Sequence, residues 1–269
     1  MNGLMAGKRG LIMGVANDHS IAWGIAKALA AQGAEIALTY QGEAFGRRVK
    51  PLADSIGSKL LLPCDVEDAE TIASVFDTLK SEWGSLDFLV HAIGFSDRAQ
   101  LKGRYLDVTT RDNFTRTMVI SAYSFTEVAQ HAAPLLNKGG SLLTLTYGGS
   151  MRVMPNYNVM GVAKAALEAM VRYLAADFGE DGVRVNAISA GPVRTLAGAG
   201  IGDARQMFSY QQRNSPLQRT VNIDEIGQSA LYLLSDMSSG VTGEIHYVDS
   251  GYNIMSMPRM NELRKLDPK

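Results

Sequence analysis

Tyr157 and Lys164 are the residues of this chain whose types and spacing most directly suggest acid–base chemistry. Seven positions are nearly two turns of an α-helix, so a helix that begins at Tyr157 places both side chains on one face, about 10 Å apart along the axis. A phenol has a pKa near ~10, too high for easy proton exchange at neutral pH, and a nearby ammonium lowers it. The pair therefore predicts a phenol activated by a lysine, although the same spacing also arises by chance in ordinary amphipathic helices.

Tyr147 supplies a second phenol at the carboxyl end of the predicted fifth strand. In a doubly wound sheet this end faces the same crevice as the start of the next helix, so both phenols can approach one substrate oxygen. The alternative is that Tyr147 is an aromatic lid that packs on its loop.

The elements that must position these side chains alternate between strand and helix. The strand segments are mostly apolar without strict alternation, which is typical of a parallel sheet covered by helices on both faces. We therefore predict an α/β fold: one Rossmann-like domain over 1–269 with a doubly wound, seven-stranded parallel sheet. The predicted strands are 10–16, 35–40, 59–63, 86–94, 141–147, 183–189 and 244–251. The predicted helices are 20–31, 43–55, 67–83, 109–136, 157–181 and 224–234.

Two segments depart from this alternation. The Gly- and Ala-rich stretch that follows the sixth strand lies at the carboxyl edge of the sheet, where ligands of such folds bind. We predict a substrate-binding loop and helix over 190–210. The C-terminal tail, 255–269, mixes charges with Met and Pro and is expected to be solvated or to lie at a subunit edge.

The composition excludes several classes of protein. The 269 residues carry 26 Lys plus Arg and 27 Asp plus Glu, a net charge of -1, so the basic surface of a nucleic-acid-binding protein is missing. A single cysteine, Cys64, forms neither a disulfide framework nor a Cys-rich metal cluster. No apolar run approaches the roughly 18 residues of a membrane span, and the first residues lack a signal-peptide core. We predict a cytoplasmic protein that binds no metal, nucleic acid or membrane.

A phosphate-binding turn is predicted after the first strand, although Gly-x-Gly-x-x-Gly is not present. Gly14 permits a sharp turn, and a helix that starts near Ser20 offers free N–H groups and a positive dipole end to a pyrophosphate. The alternative is that Gly14 serves only the turn and Ser20 only caps the helix.

The residue that ends the second strand usually selects the nicotinamide cofactor. Here it is Gln41, a neutral amide that can bond a ribose or adenine but cannot neutralise a 2′-phosphate. NADH is therefore favoured over NADPH. The alternative is that Arg47 or Arg48, one or two helical turns later, contacts the 2′-phosphate of NADPH. Asp65 either accepts from the adenine amino group or caps the next helix. His91, on an apolar strand, is expected to be a core residue.

Several motifs together resemble a known family, the short-chain dehydrogenase/reductases, and within it the bacterial NADH-dependent enoyl-acyl-carrier-protein reductases. The resemblance covers nearly the whole chain, and its discriminating feature is Tyr-x6-Lys. Carbonyl-reducing relatives carry Tyr-x3-Lys, whereas position 161 here is Gly. The motifs are Gly14-x5-Ser20-x-Ala22, Tyr40-Gln41, Cys64-Asp65-Val66, His91-Ala92-Ile93-Gly94-Phe95, Tyr147, Tyr157-x6-Lys164 and AGPVRTLA at 190–197.

The resemblance implies roles for individual residues. Tyr147, Tyr157 and Lys164 match the active-site residues, and Ser96 stands at the backbone contact to substrate. It further implies NADH as cofactor, acyl carrier protein bearing enoyl thioesters as partner, and a homotetramer. Only Arg205 is basic in 202–206, where well-known members carry several charges for the carrier protein. The implied cofactor contacts are Gly14, Ser20, Ile21, Gln41, Asp65, Val66, Ile93, Lys164, Val193, Arg194, Thr195, Leu196 and Ala197.

The resulting hypothesis is reduction of the trans-2 double bond of an enoyl thioester during fatty-acid elongation. Tyr157 stabilises the charge on the thioester oxygen, Lys164 holds the cofactor ribose, and Tyr147 orients the thioester. One rival is a ketoreductase or alcohol dehydrogenase of the same superfamily, against which the missing Tyr-x3-Lys argues. A second rival is a non-catalytic dinucleotide-binding protein, which has no need of all three side chains.

Overall fold

The computed structural model describes residues 3–196 and 198–266, in which strands and helices alternate as predicted. All seven predicted strands are present. The strands are β1 (Arg9–Met13), β2 (Glu35–Tyr40), β3 (Leu60–Pro63), β4 (Leu86–His91), β5 (Leu136–Thr146), β6 (Arg184–Ala190) and β7 (Ile245–Val248). The α-helices are α1 (Ile21–Ala31), α2 (Gly42–Ser55), α3 (Ala69–Trp83), α4 (Tyr105–Val108), α5 (Arg111–Met118), α6 (Ser124–Ala132), α7 (Val159–Gly179), α8 (Ala204–Asn214), α9 (Ile223–Leu234) and α10 (Met260–Leu266).

The strands form one parallel sheet in the order β3-β2-β1-β4-β5-β6-β7. The chain runs outward in one direction from β1 to β3 and in the other from β4 to β7. The carboxyl ends of β1 and β4 therefore border the crevice where doubly wound sheets bind ligands. The predicted Rossmann-like sheet is confirmed.

Helices cover both faces of the sheet, and two apolar cores result. Residues of α3, α6 and α7 pack on one face, whereas residues of α1, α2 and α9 pack on the other. Strands such as β1 and β4 are buried on both faces, with Leu11 and Leu89 in one core and Ile12 and Val90 in the other. This double burial explains why the strand segments read as continuous apolar runs.

The prediction that Tyr157 opens the long fifth helix was wrong. Tyr157 lies in a turn, and α7 begins at Val159. Asn158 intervenes with φ 44° and ψ -124°, a conformation that no α-helix accommodates. Its side-chain amide donates to the carbonyl oxygens of Gln100 (2.8 Å) and Gly103 (3.2 Å), which fixes this bend.

The single helix predicted over 109–136 was also wrong. The segment divides into α5, a π-helical turn at Val119–Tyr123, α6 and a 3-10 turn at Ala133–Leu135, and Leu136 already belongs to β5. The Ser124 hydroxyl donates to the Ile120 carbonyl oxygen over 2.7 Å and so competes with the regular helical ladder. Such π-helical turns inside helices often mark functional sites.

Candidate active site

The two predicted tyrosines meet at the carboxyl end of β5. Their ring centroids lie 5.0 Å apart in an edge-to-face arrangement. Tyr157 is 7% exposed and packs in a small apolar cluster with Leu101 and Met160. Tyr147 borders a cleft of about 300 Å³ that extends past the ends of β6 and β7. The structure thus brings both phenols to one place, as the sequence predicted.

Lys164 lies on the first turns of α7 and reaches the same end of the sheet. Its ammonium Nζ donates to the Leu145 carbonyl oxygen over 2.8 Å. A Cβ placed on Gly94, just after β4, would lie 3.7 Å from this Nζ. The ammonium therefore occupies the space between the ends of β4 and β5, beside the ligand crevice.

Glu168 lies one turn farther along α7 and is a buried carboxylate that the sequence analysis did not single out. It is 4% exposed and accepts from the Thr146 hydroxyl over 2.7 Å. Its negative charge raises the pKa of Lys164, but burial has the larger effect and lowers that pKa to about 8. Glu168 follows Lys164 by four residues and therefore lies on the same helix face, and this Lys-x3-Glu spacing is the sequence pattern that could have identified it.

Burial keeps both phenols protonated. It raises the pKa of Tyr157 well above its ordinary value, and the neighbouring Tyr147 raises it further. Burial also raises the pKa of Tyr147. The net shift is opposite to the lowered pKa that the sequence predicted for a phenol beside a lysine, because desolvation of the phenolate is its largest cause. Both side chains are neutral hydrogen-bond donors rather than preformed bases.

The turn after β1 has the shape of a phosphate cradle. Gly14 has φ 101°, and a Cβ on it would lie 2.1 Å from the Ala92 carbonyl oxygen, so only glycine fits between the ends of β1 and β4. The Ser20 hydroxyl accepts from the backbone N–H groups of Ala16 (3.0 Å) and Asn17 (3.1 Å) and orders the turn. Ser20 occupies the N-cap position of α1 without a side-chain cap, and the first helical N–H groups, at Ile21 and Ala22, point out of the helix start.

Gln41 and Asp65 form a pair at the ends of β2 and β3. The Gln41 amide nitrogen donates to an Asp65 carboxylate oxygen over 2.9 Å, and the other Asp65 oxygen accepts from the Glu67 N–H over 3.0 Å. Asp65 is not the cap of α3, since Asp68 holds that position.

The two arginines near this pair interact with their own helix. Arg47 lies 3.7 Å from the Glu43 carboxylate, and the Arg48 guanidinium lies 5.9 Å from the centre of the Phe45 ring. The anionic Asp65 beside Gln41 disfavours a second negative charge at this position.

The segment after β4 combines core and crevice residues. His91 is fully buried between the hydroxyls of Ser124 (2.8 Å) and Thr144 (3.3 Å). Burial lowers its pKa to about 3, so it is the neutral core histidine that the sequence predicted.

Ser96 is 7% exposed and accepts hydrogen bonds from the Asn113 amide (3.0 Å) and the Thr117 hydroxyl (3.1 Å). Val66 is buried in the apolar core that α3, α6 and α7 cover, and Ile93 is partly buried against the same core.

The remaining predicted cofactor residues follow β6. Val193 packs partly against the core, whereas Arg194 and Leu196 are exposed. The Thr195 hydroxyl accepts from the Gly198 N–H over 3.0 Å and bends the segment toward α8. Ala197 lies outside the described residues. The helix expected within 190–210 is present as α8, which runs four residues farther, to Asn214.

Gly161 occupies the position at which carbonyl-reducing relatives carry their lysine. A Cβ at this position would lie 2.8 Å from the Gly149 carbonyl oxygen. The loop that carries Tyr147 therefore packs directly on the first turn of α7. A lysine three residues before Lys164 does not fit this arrangement.

A dinucleotide fits the residues that line this edge. The Gly14 turn and the start of α1 can hold a pyrophosphate, while Gln41 and Asp65 offer polar atoms to the adenosine. Lys164 stands beside the crevice where the nicotinamide ribose would lie. In the part of the chain that the structure describes, no helix is long and apolar enough to cross a membrane.

Comparisons with known proteins agree with this site. A family model described as Enoyl-(Acyl carrier protein) reductase matches residues 14–253. The chain is 74% identical over 267 residues to enoyl-acyl-carrier-protein reductase (NADH) 2 of Rhizobium meliloti, a match that covers 99% of each chain.

Two solved structures share the fold throughout. The crystal structure of FabI from Candidatus Liberibacter asiaticus has a TM-score of 0.94 and 57% identity, and the match covers 96% of this chain and 100% of that one. The enoyl-acyl-carrier-protein reductase of Anaplasma phagocytophilum in complex with NAD has a TM-score of 0.92 and 55% identity, with 97% of each chain covered. The chain therefore belongs to the enoyl-acyl-carrier-protein reductase family of short-chain dehydrogenase/reductases.

Proposed function

We propose that this protein uses NADH to reduce the trans-2 double bond of enoyl thioesters carried on acyl carrier protein, a step of fatty-acid biosynthesis. The observation that carries the proposal is the packing of the Tyr147 loop on Gly161. This packing places the two neutral phenols of Tyr147 and Tyr157 side by side. It also leaves no room for a lysine at position 161, which a Tyr-x3-Lys arrangement would require. Family membership supports the same activity.

When bound, NADH supplies the hydride that adds to C3 of the enoyl group. Tyr157, which burial keeps protonated, donates a hydrogen bond to the thioester oxygen as negative charge develops there. Tyr147 orients the same thioester from the adjoining position. A proton delivered to C2 from Tyr157 or from water completes the saturated product. Because these groups are fixed before the substrate binds, part of the barrier is lowered by positioning alone.

Lys164 serves the cofactor side of the site. A lysine with a pKa of about 8 is mostly cationic at neutral pH, so it can bind the ribose hydroxyls and favour negative charge nearby. Gln41 beside Asp65 favours an unphosphorylated ribose, and we therefore expect NADH to be preferred over NADPH. The matched relative from Rhizobium meliloti is likewise described as an NADH enzyme.

The partner and the assembly belong to the same proposal. Acyl carrier protein delivers the substrate, and residues 190–210 with α8 close over the acyl chain. We infer a cytoplasmic homotetramer in which each chain forms a single domain, with the C-terminal tail at a subunit edge.

Consumption of NADH with a trans-2-enoyl thioester tests the function, with a 3-ketoacyl thioester as the alternative substrate. We expect turnover only with the enoyl compound. Tyr157→Phe removes the hydroxyl with little change of shape, and we expect kcat to fall at least about tenfold with an unchanged NADH dissociation constant, since a charge-stabilising donor is lost. Oxidation of NADH by the 3-ketoacyl thioester alone would establish a ketoreductase instead.

A further inference from the structure

Helix α8 contacts Tyr147 through a polar side chain. The buried residues of this helix are Gln211 and Asn214, both of them polar. Gln211 is 5% exposed, and its Nε2 donates to the phenolic oxygen of Tyr147 over 2.6 Å. The helix of the proposed substrate segment is thus joined to the candidate active site by a buried hydrogen bond.

The direction of this bond determines what Tyr147 can do. A phenolic hydroxyl has one proton and two acceptor lone pairs. An N–H group that donates to the oxygen excludes the phenol proton from that side, so the proton must point elsewhere. The same bond favours negative charge on the oxygen, opposing part of the rise in pKa that burial causes. The bond therefore leaves the Tyr147 proton available to an acceptor on the other side of the oxygen.

We propose that Gln211 is a positioning residue for the reduction: its amide holds the Tyr147 hydroxyl with the proton directed toward the thioester oxygen. The inference rests on the proposed function, because Tyr147 receives its role there. It also makes the donor state of Tyr147 depend on the placement of α8.

Gln211→Met retains the length of the side chain and removes the amide. We expect kcat to fall about threefold to tenfold, as for the loss of one hydrogen bond, with the NADH dissociation constant and the melting temperature unchanged. Gln212→Met is the matched control, because Gln212 is exposed on the same helix, and it leaves kcat at the wild-type value. In Gln211→Glu the ionised carboxylate can only accept a hydrogen bond, so assayed at a pH where it is ionised it turns the phenol proton away from the substrate and lowers kcat further than Gln211→Met does.

A double-mutant cycle with Tyr147→Phe separates positioning from a structural role. Without the phenolic oxygen Gln211 has nothing to orient, so Gln211→Met lowers kcat in the wild-type background and has no further effect in Tyr147→Phe. An equal loss in both backgrounds, or wild-type kcat in Gln211→Glu, overturns the proposal. Failure of the proposed function is distinct, since the wild-type protein would then not reduce the enoyl thioester.

Discussion

Replacing Lys164 by Met removes a buried charge whose cost can be worked out from the structure. Lys164 is 7% exposed, and burial lowers its pKa from 10.5 to about 8. Between these values the unfolded chain binds a proton that the folded protein does not, so the stability of the wild type rises as the pH increases through this window. At about 1.4 kcal/mol per pKa unit, the buried charge costs about 3 kcal/mol at neutral pH.

Comparing the wild type with Lys164→Met isolates the contribution of the Lys164 ammonium to the free energy of unfolding. Urea unfolding at fixed protein concentration, from pH 7 to pH 10, should show the wild type gaining about 2 to 3 kcal/mol relative to Lys164→Met. Groups that do not interact with Lys164 titrate alike in both proteins and cancel in the difference. Lys59→Met is the control, since Lys59 is exposed, and its difference from the wild type should be flat. A flat difference for Lys164→Met as well would refute the assignment of a desolvated ammonium.

Two further predictions concern the cofactor turn and the buried carboxylate. Gly14→Ala places a Cβ 2.1 Å from the Ala92 carbonyl oxygen at a φ of 101°. Such backbone strain costs at least ~1 kcal/mol, so we expect NADH affinity, measured by fluorescence titration, to fall at least about fivefold. Unchanged affinity would contradict the role of this turn in binding the cofactor. Glu168→Gln removes the charge that raises the pKa of Lys164, so the alkaline fall of kcat/KM should move to lower pH, whereas the exposed Glu180→Gln should leave the profile in place. An unmoved profile in Glu168→Gln would show that the two side chains are not coupled.

The sheet was predictable because its strands are buried on both faces. Runs such as those of β1 and β4 are therefore apolar at most positions, and the alternation with helices then fixes parallel crossovers. The breaks in helices were not predictable from apolar periodicity. They depend on individual side chains that bond to backbone, as Asn158 does with the distant Gln100 and Gly103, and as Ser124 does with Ile120 one turn earlier.

The placement of the candidate residues was predictable, but their electrostatics were not. Tyr147, Tyr157 and Lys164 were singled out by their types and spacing, and the carboxyl ends of neighbouring strands bring them to one edge of the sheet. The rise in the pKa of Tyr157 follows from burial, which spacing along a chain does not reveal. Gln211 is distant in sequence from Tyr147 and lies in a polar helix, so no local pattern marked it.

The central claim, conjugate reduction of an enoyl thioester, is tested most directly by the position of an isotope label. The wild-type protein is incubated with a trans-2-enoyl thioester and NADH deuterated at the transferred position, and the product is analysed by NMR and mass spectrometry. The account predicts a saturated thioester with deuterium at C3 and a solvent proton at C2. Recovery of unchanged enoyl thioester, together with a labelled 3-hydroxyacyl product from a 3-ketoacyl thioester, would contradict it.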